Sequence, residues 1–138
     1  MHGRTIACLG ALLVFLPLPA CGGGHRATPS LFAGHWWGHT RRLEISRDGR
    51  GQEIVDDGCC SRVITARFRL LHVRGTRAKA VATIRFTFAR VDKRVFAELH
   101  RRPPRAGQRG TLRLQHGVVK DEVTTVTFCA MNVDKCGL

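Results

Sequence analysis

The feature that most constrains the fold of this 138-residue chain is a repeated alternation of apolar and polar residues with a period of two. Every second side chain of a β-strand points to the same face of a sheet, so this period indicates strands. The clearest run predicts one shared strand face for Ala80, Ala82, Ile84, Phe86 and Phe88. Thr83, Arg85 and Thr87 would lie on the other face. We therefore expect half-buried antiparallel strands, with one face in a core and the other in water.

The same alternation recurs in segments 43–45, 64–70, 112–114 and 124–128. Short turn sequences separate these segments at hairpin distances. They are Asp48-Gly49, Asp57-Gly58, Arg74-Gly75-Thr76, Asp92-Lys93 and His116-Gly117. No long segment has the spacing of an amphipathic helix. The sequence predicts an all-β fold, an antiparallel meander of about seven to eight strands that forms a small barrel or sandwich.

The first twenty residues are typical of an export signal. A positively charged start that includes Arg4 precedes an apolar stretch from residue 6 to 16, which is short of the roughly 20 residues of a membrane-spanning helix. The following Leu18-Pro19-Ala20-Cys21 resembles the lipobox of bacterial lipoproteins. The resemblance implies cleavage before Cys21, lipidation of its thiol and anchoring on the outer face of the cell membrane. The alternative is secretion as a soluble protein.

These signals divide the chain into three segments. Residues 1–20 are the predicted signal peptide, and residues 21–33 are a flexible tether attached to lipid. The glycines that follow Cys21 suit such a tether. Residues 34–138 form a single predicted β domain, which accords with the length of the chain.

The cysteines of the exported domain are even in number. Setting aside Cys8 and Cys21, four remain: Cys59, Cys60, Cys129 and Cys136. In an oxidising compartment they predict two disulfides, which would brace the domain. A bond between adjacent cysteines is strained, so each of the neighbours should pair with one of the two later cysteines. We favour Cys59–Cys129 with Cys60–Cys136 over the other cross pairing. Each bond would close a loop of about 70 residues, worth roughly 4 kcal/mol.

The densest cluster of unusual side chains is Gly34-His35-Trp36-Trp37-Gly38-His39. Gly34-His35-Trp36 resembles the Gly-x-Trp that opens the first strand of lipocalin-like barrels, which implies a closed meander with an apolar ligand cavity. Trp36 and Trp37 are then candidate cavity residues, and the alternative is that they pack in the core. His35 and His39 on a strand would lie roughly 13 Å apart, too far to chelate one metal ion.

Nothing in the sequence has the pattern of a catalytic or cofactor site. There is no Gly-x-Ser-x-Gly, and the Asp56-Asp57-Gly58 segment lacks the further oxygen ligands of a calcium loop. We therefore predict no enzyme activity, no metal and no cofactor. Nucleic-acid signatures are also missing, and the phenylalanines alternate away from the arginines, so no exposed stacking surface is expected.

Positive charge is concentrated in the middle of the chain. Residues 58–120 contain 16 Lys and Arg against Asp92 and Glu98, a net charge of +14, whereas the whole chain carries +13. The predicted loop at residues 101–110 holds four of these charges, which we expect to bind an anionic partner: Arg101, Arg102, Arg105 and Arg109.

The sequence thus predicts a non-catalytic exported lipoprotein whose basic surface contacts anionic lipid, a wall polymer or an acidic partner. The alternatives are a lipocalin-like carrier of a small apolar ligand and an inhibitor of an acidic secreted hydrolase. The sequence does not specify the ligand or the oligomeric state.

Overall fold

The structure, a computed structural model, describes residues 28–58, 61–98 and 102–131. Within these residues eight strands form a closed antiparallel barrel in which each strand pairs with the next and the last returns to the first. The strands are β1 (Gly34–Gly38), β2 (Arg41–Ile45), β3 (Arg50–Asp56), β4 (Arg62–Gly75), β5 (Lys79–Val91), β6 (Arg109–Gln115), β7 (Val118–Asp121) and β8 (Thr127–Cys129). The predicted meander is confirmed, and it closes as a barrel.

Two short helices accompany the strands. A 3₁₀ helix (Pro29–Leu31) precedes β1, and α1 (Lys93–Glu98) follows β5 at the point where a simple turn was predicted. Phe96 of α1 is buried against the barrel, so an apolar contact holds this turn in helical form. No helix within the described ranges combines the length and the apolar character needed to cross a membrane.

The barrel interior is filled by the inward residues of the alternating strands. Phe68 of β4 and Phe86 of β5 meet edge to face, with ring centroids 6.2 Å apart. The side chains of four phenylalanines are completely or almost completely excluded from solvent: Phe32, Phe68, Phe86 and Phe128. Large aromatic side chains dominate the burial energy of a small core, so this cluster occupies much of the space inside the strands.

One predicted inward residue lies on the outside. Phe88 is 43% exposed, although the alternation through Phe86 placed it in the core. The register between β4 and β5 shifts here, because Arg67 pairs with Phe88 and the next residue, Phe68, pairs with Phe86. The shift leaves Thr87 as an extra residue, and a β-bulge of this kind reverses the faces beyond it.

The predicted alternation over residues 124–128 is wrong at its start. Residues 122–124 form a turn, and β8 begins only at Thr127. Thr124 is buried, and its hydroxyl bonds across the barrel to Glu53 of β3. A specific polar contact therefore replaces the strand that the sequence pattern predicted.

Residues just before β1 already pack against the barrel. Phe32 is fully buried, and its carbonyl accepts a 2.9 Å hydrogen bond from Nε1 of Trp36. The barrel closes at the opposite edge of β1, where Trp37 pairs with Cys129. Nearby, Nε of Arg41 donates to the carbonyl of Thr127 at 2.6 Å. This charged side chain thus supplements the one register pair that β1 and β8 share among the described residues.

Candidate functional site

Four arginines lie side by side across the outer face of the barrel. In register, Arg50 of β3 is opposite Arg69 of β4, which is opposite Arg85 of β5, which is opposite Arg109 of β6. All four are exposed. Neighbouring strands are about 4.8 Å apart, so the backbone positions span roughly 14 Å. We call these four residues the arginine row.

Such a row is unfavourable for folding. Like charges directly opposite on neighbouring strands destabilise a sheet. At a separation of roughly 6 Å in water, each adjacent pair costs about 0.7 kcal/mol before salt screening. Nothing in the packing of the barrel requires charge at these outward positions, so the row is a candidate for a binding role.

Only one acidic side chain within the described ranges forms an ion pair with the arginine row. Asp48, in the turn before β3, lies 3.2 Å from Nε of Arg50. The hydroxyl of Ser46 and the backbone N–H of Arg50 also donate to its carboxylate. These hydrogen bonds, with the positive charge of Arg50 and Arg69, lower the pKa of Asp48. The carboxylate therefore stays ionised at one end of the row, and the other three guanidinium groups form no ion pair with an acid of the described residues.

The arginines predicted from the sequence are only partly brought together. Arg101 lies outside the described residues, and Arg102 and Arg105 are exposed in the loop before β6. Arg109 begins β6 and forms the end of the arginine row. Sequence reasoning missed Arg50, Arg69 and Arg85 as its partners, because alternation indicates which residues point outward but not which of them face each other across strands.

A concave region of about 690 Å³ lies beside the arginine row on the outer face. The residues of one side form a single register line across β1 to β4: His35, Glu44, Gln52 and Arg67. The other side includes Ser46 and the first two arginines of the row. We call this region the flank cavity. Its volume is within the range of small-molecule sites.

Aromatic side chains adjoin the flank cavity at both ends. His35 stacks on Trp37, with ring centroids 6.3 Å apart and an interplanar angle of 21°. At the other end the guanidinium of Arg67 lies over the ring of Phe88, 5.8 Å from its centroid. Phe88 removes one premise of the argument against nucleic acid, since an exposed ring does accompany an arginine. The absence of a nucleic-acid partner stays a prediction.

Two acids meet inside the barrel, which the sequence did not indicate. Glu53 of β3 and Asp121 at the end of β7 are both fully buried. Glu53 accepts the hydroxyl of Thr124 at 2.9 Å. Asp121 accepts the backbone N–H groups of Val123, at 2.7 Å, and Thr124, at 3.4 Å. We call Glu53 and Asp121 the inner acid pair, and it ties the β7–β8 turn to β3.

We expect the inner acid pair to share one proton. Oε2 of Glu53 and Oδ2 of Asp121 are buried and meet no donor within the described chain. Burial raises the pKa of Glu53 well above its ordinary value, and the charge of Asp121 raises it further. Burial also raises the pKa of Asp121, although its hydrogen bonds oppose this. We therefore expect this proton on Glu53, from which it can donate to the carboxylate of Asp121.

The other predicted residues are distributed between core and surface. Trp36 is buried in the core, whereas Trp37 is half-buried on the outer face. Cys129 is fully buried in β8. The remaining predicted cysteines lie outside the described residues, as do the signal peptide and Cys21. In the described part of the chain, no group of three or more His, Cys, Asp or Glu is placed to hold a metal ion.

Comparisons with known proteins add no family to this description. No family model, no curated protein and no solved structure matches the chain.

Proposed function

We propose that this protein is a non-catalytic, exported binding protein whose arginine row holds a linear polyanion. The observation that carries the proposal is the register itself, which aligns Arg50, Arg69, Arg85 and Arg109 on four successive strands. A row that costs stability and has one acidic partner among the described residues is suited to exchange its counterions for a ligand with several negative charges. Release of those counterions favours binding.

The curvature of the barrel favours a flexible polymer over a flat lipid surface. The row crosses three of the eight steps between neighbouring strands of the closed barrel. Its end members therefore point in widely different directions, and a plane cannot meet all four equally. Strands of a barrel tilt by about 35–45°, so a polymer that follows the row would take an oblique path around it. Among the predicted partners, we accordingly propose an anionic polymer of the cell wall type.

The test compares two variants with the same change in charge. In the row variant, glutamine replaces Arg50, Arg69, Arg85 and Arg109. In the control variant, glutamine replaces four exposed arginines elsewhere: Arg62, Arg74, Arg77 and Arg94. We expect the row variant to lose more than about tenfold in affinity for polyphosphate at low salt, with a shallower dependence of affinity on salt. The affinity of the control variant for polyphosphate should change by less than about threefold.

A second arm separates polymer from membrane. Binding to phosphatidylglycerol vesicles is measured for the same two variants. The proposal expects the loss on polyphosphate to exceed the loss on vesicles. Equal losses in both variants would show that only net charge matters, and a selective loss on vesicles would indicate that the row contacts lipid. Either result overturns the proposal.

Export, lipidation at Cys21 and two disulfides belong to the same proposal. The full burial of Cys129 supports a disulfide to one of the other predicted cysteines. Detergent partitioning of the full chain against Cys21→Ala tests the anchor, and an unchanged distribution would refute it. Non-reducing peptide mapping tests the disulfides. The closed meander agrees with the carrier alternative, and no observation in the described residues bears on the inhibitor alternative.

A further inference from the structure

The flank cavity combines chemistry that a simple anion track does not need. Arg50 and Arg69 form part of one side, and Glu44 and Gln52 form part of the opposite side. The carboxylate of Glu44 is 47% exposed and lies 3.9 Å from Nδ1 of His35. An exposed carboxylate repels an anionic chain, so a site built only for phosphate or carboxylate groups would be better without it.

A ligand with both anionic groups and hydroxyl groups matches the two sides of the cavity. A carboxylate accepts hydrogen bonds from hydroxyl groups, and an amide such as that of Gln52 both donates and accepts. Guanidinium groups bind carboxylate, sulfate or phosphate groups. The ring of His35, held by its stack on Trp37, offers an apolar face beside these polar groups. Apolar and polar groups converging in one cavity are typical of ligand sites.

We propose that the flank cavity binds the sugar units of an anionic polysaccharide whose charged groups lie along the arginine row. The inference rests on the proposed function, because the row supplies the charge recognition. It adds the chemical class of the polymer: a glycan, rather than a polyphosphate or an acidic polypeptide. The cavity adjoins the β3 and β4 end of the row, so one stretch of polymer contacts both.

The test uses two polymers that carry one carboxylate per monomer. Polygalacturonate has hydroxyl groups and sugar rings, and poly-L-glutamate has neither. Affinities are measured by titration with the full folded protein, with the row variant and with two double variants. The cavity variant is Glu44→Ala with Gln52→Ala, and the control is Glu122→Ala with Gln115→Ala, an exposed pair outside the cavity.

We expect wild type to prefer polygalacturonate, and the cavity variant to lose about fivefold or more of that affinity. Its affinity for poly-L-glutamate should stay unchanged or rise, because a repelling carboxylate is gone. The control should keep both affinities. Equal effects on both polymers, or none on either, would overturn the inference while leaving the role of the row intact. Failure of the proposed function is distinguishable, since neither polymer would then respond to the row variant.

Discussion

The outer and inner faces of the barrel both bring like charges together, and they stabilise them in opposite ways. Outside, the arginine row keeps every charge and relies on water and dissolved ions to screen the repulsion. Inside, the inner acid pair is excluded from solvent, and this burial raises the pKa of Glu53 and favours its neutral form. Charges that remain ionised are available to a ligand. The buried acids instead stabilise the fold through their hydrogen bonds to the β7–β8 turn.

The largest expected effect comes from breaking the inner pair. Asp121→Ala leaves two backbone N–H groups and the carboxyl of Glu53 buried without their partner. We expect the free energy of unfolding to fall by about 2–4 kcal/mol, measured by guanidinium denaturation. Asp121→Asn keeps the accepting oxygen, so its free energy of unfolding should fall by less.

The neighbouring Glu122 is the matched control for this change. Its exposed carboxylate contacts only Arg113 among the described ion pairs, so Glu122→Ala should cost less than about 1 kcal/mol. If the two alanine variants had the same stability, the inner acid pair would not hold the β7–β8 turn.

The shared proton makes stability depend on pH. The pKa of Glu53 is raised in the folded state above its ordinary value of 4.5, so the folded chain holds a proton that the unfolded chain has released. The stabilisation is complete below that value and is lost as the pH rises through the folded pKa. One such proton gives a slope of up to about 1.4 kcal/mol per pH unit.

Glu53→Gln tests this slope, because its amide is neutral at every pH and retains an acceptor for Thr124. We expect the free energy of unfolding of wild type to fall between pH 5 and 8 more steeply than that of the variant. Parallel curves would show that the pair does not hold the proton. For Asp48 on the outer face, the dependence of stability on pH has the opposite sign. The lowered pKa of Asp48 means that its contribution is lost as the pH falls below its usual range.

The smallest effect is expected on the outer face. Arg85→Glu replaces two like-charge contacts, with Arg69 and Arg109, by two opposite-charge contacts. Thermal denaturation at low salt should show stabilisation of about 0.2–1 kcal/mol for each contact, and 1 M salt should reduce it. Arg77→Glu, on the exposed turn before β5, is the control. Equal shifts in both variants would mean that net charge, not register, determines the effect.

The same substitution connects stability with binding. Arg85→Glu should stabilise the barrel while weakening its affinity for polyphosphate, since it places a carboxylate in the middle of the row. A variant that is more stable and binds less tightly separates the two properties directly. A loss of both would trace the binding defect to the fold instead.

Alternation was sufficient to predict strands, their outward arginines and most of the core. It failed at Phe88, where one extra residue in β5 reversed the faces, because the bulge depends on the partner strand as well as on local sequence. It also failed at Thr124, whose hydroxyl finds Glu53 across the barrel. Both errors occur where a contact distant in sequence overrides the local pattern.

The candidate sites were harder to predict from the sequence than the strands, because strand register brings their residues together. Arg109 was predicted as part of a loop cluster, whereas the other three arginines of the row lie 24, 40 and 59 residues earlier in the chain. Glu44 and Gln52 drew no attention as isolated polar residues. Only their placement in one line beside the row indicates a cavity.

By itself, the sequence determined that this chain forms antiparallel strands with a basic outer face, because the period of two and the distribution of arginine are properties of neighbouring residues. Tertiary structure alone decided which charges face each other. Closing the barrel set one register for all eight strands. That register aligned four arginines on the solvent-exposed face and brought two acids together in the core. Burial there raises the pKa of both carboxyl groups.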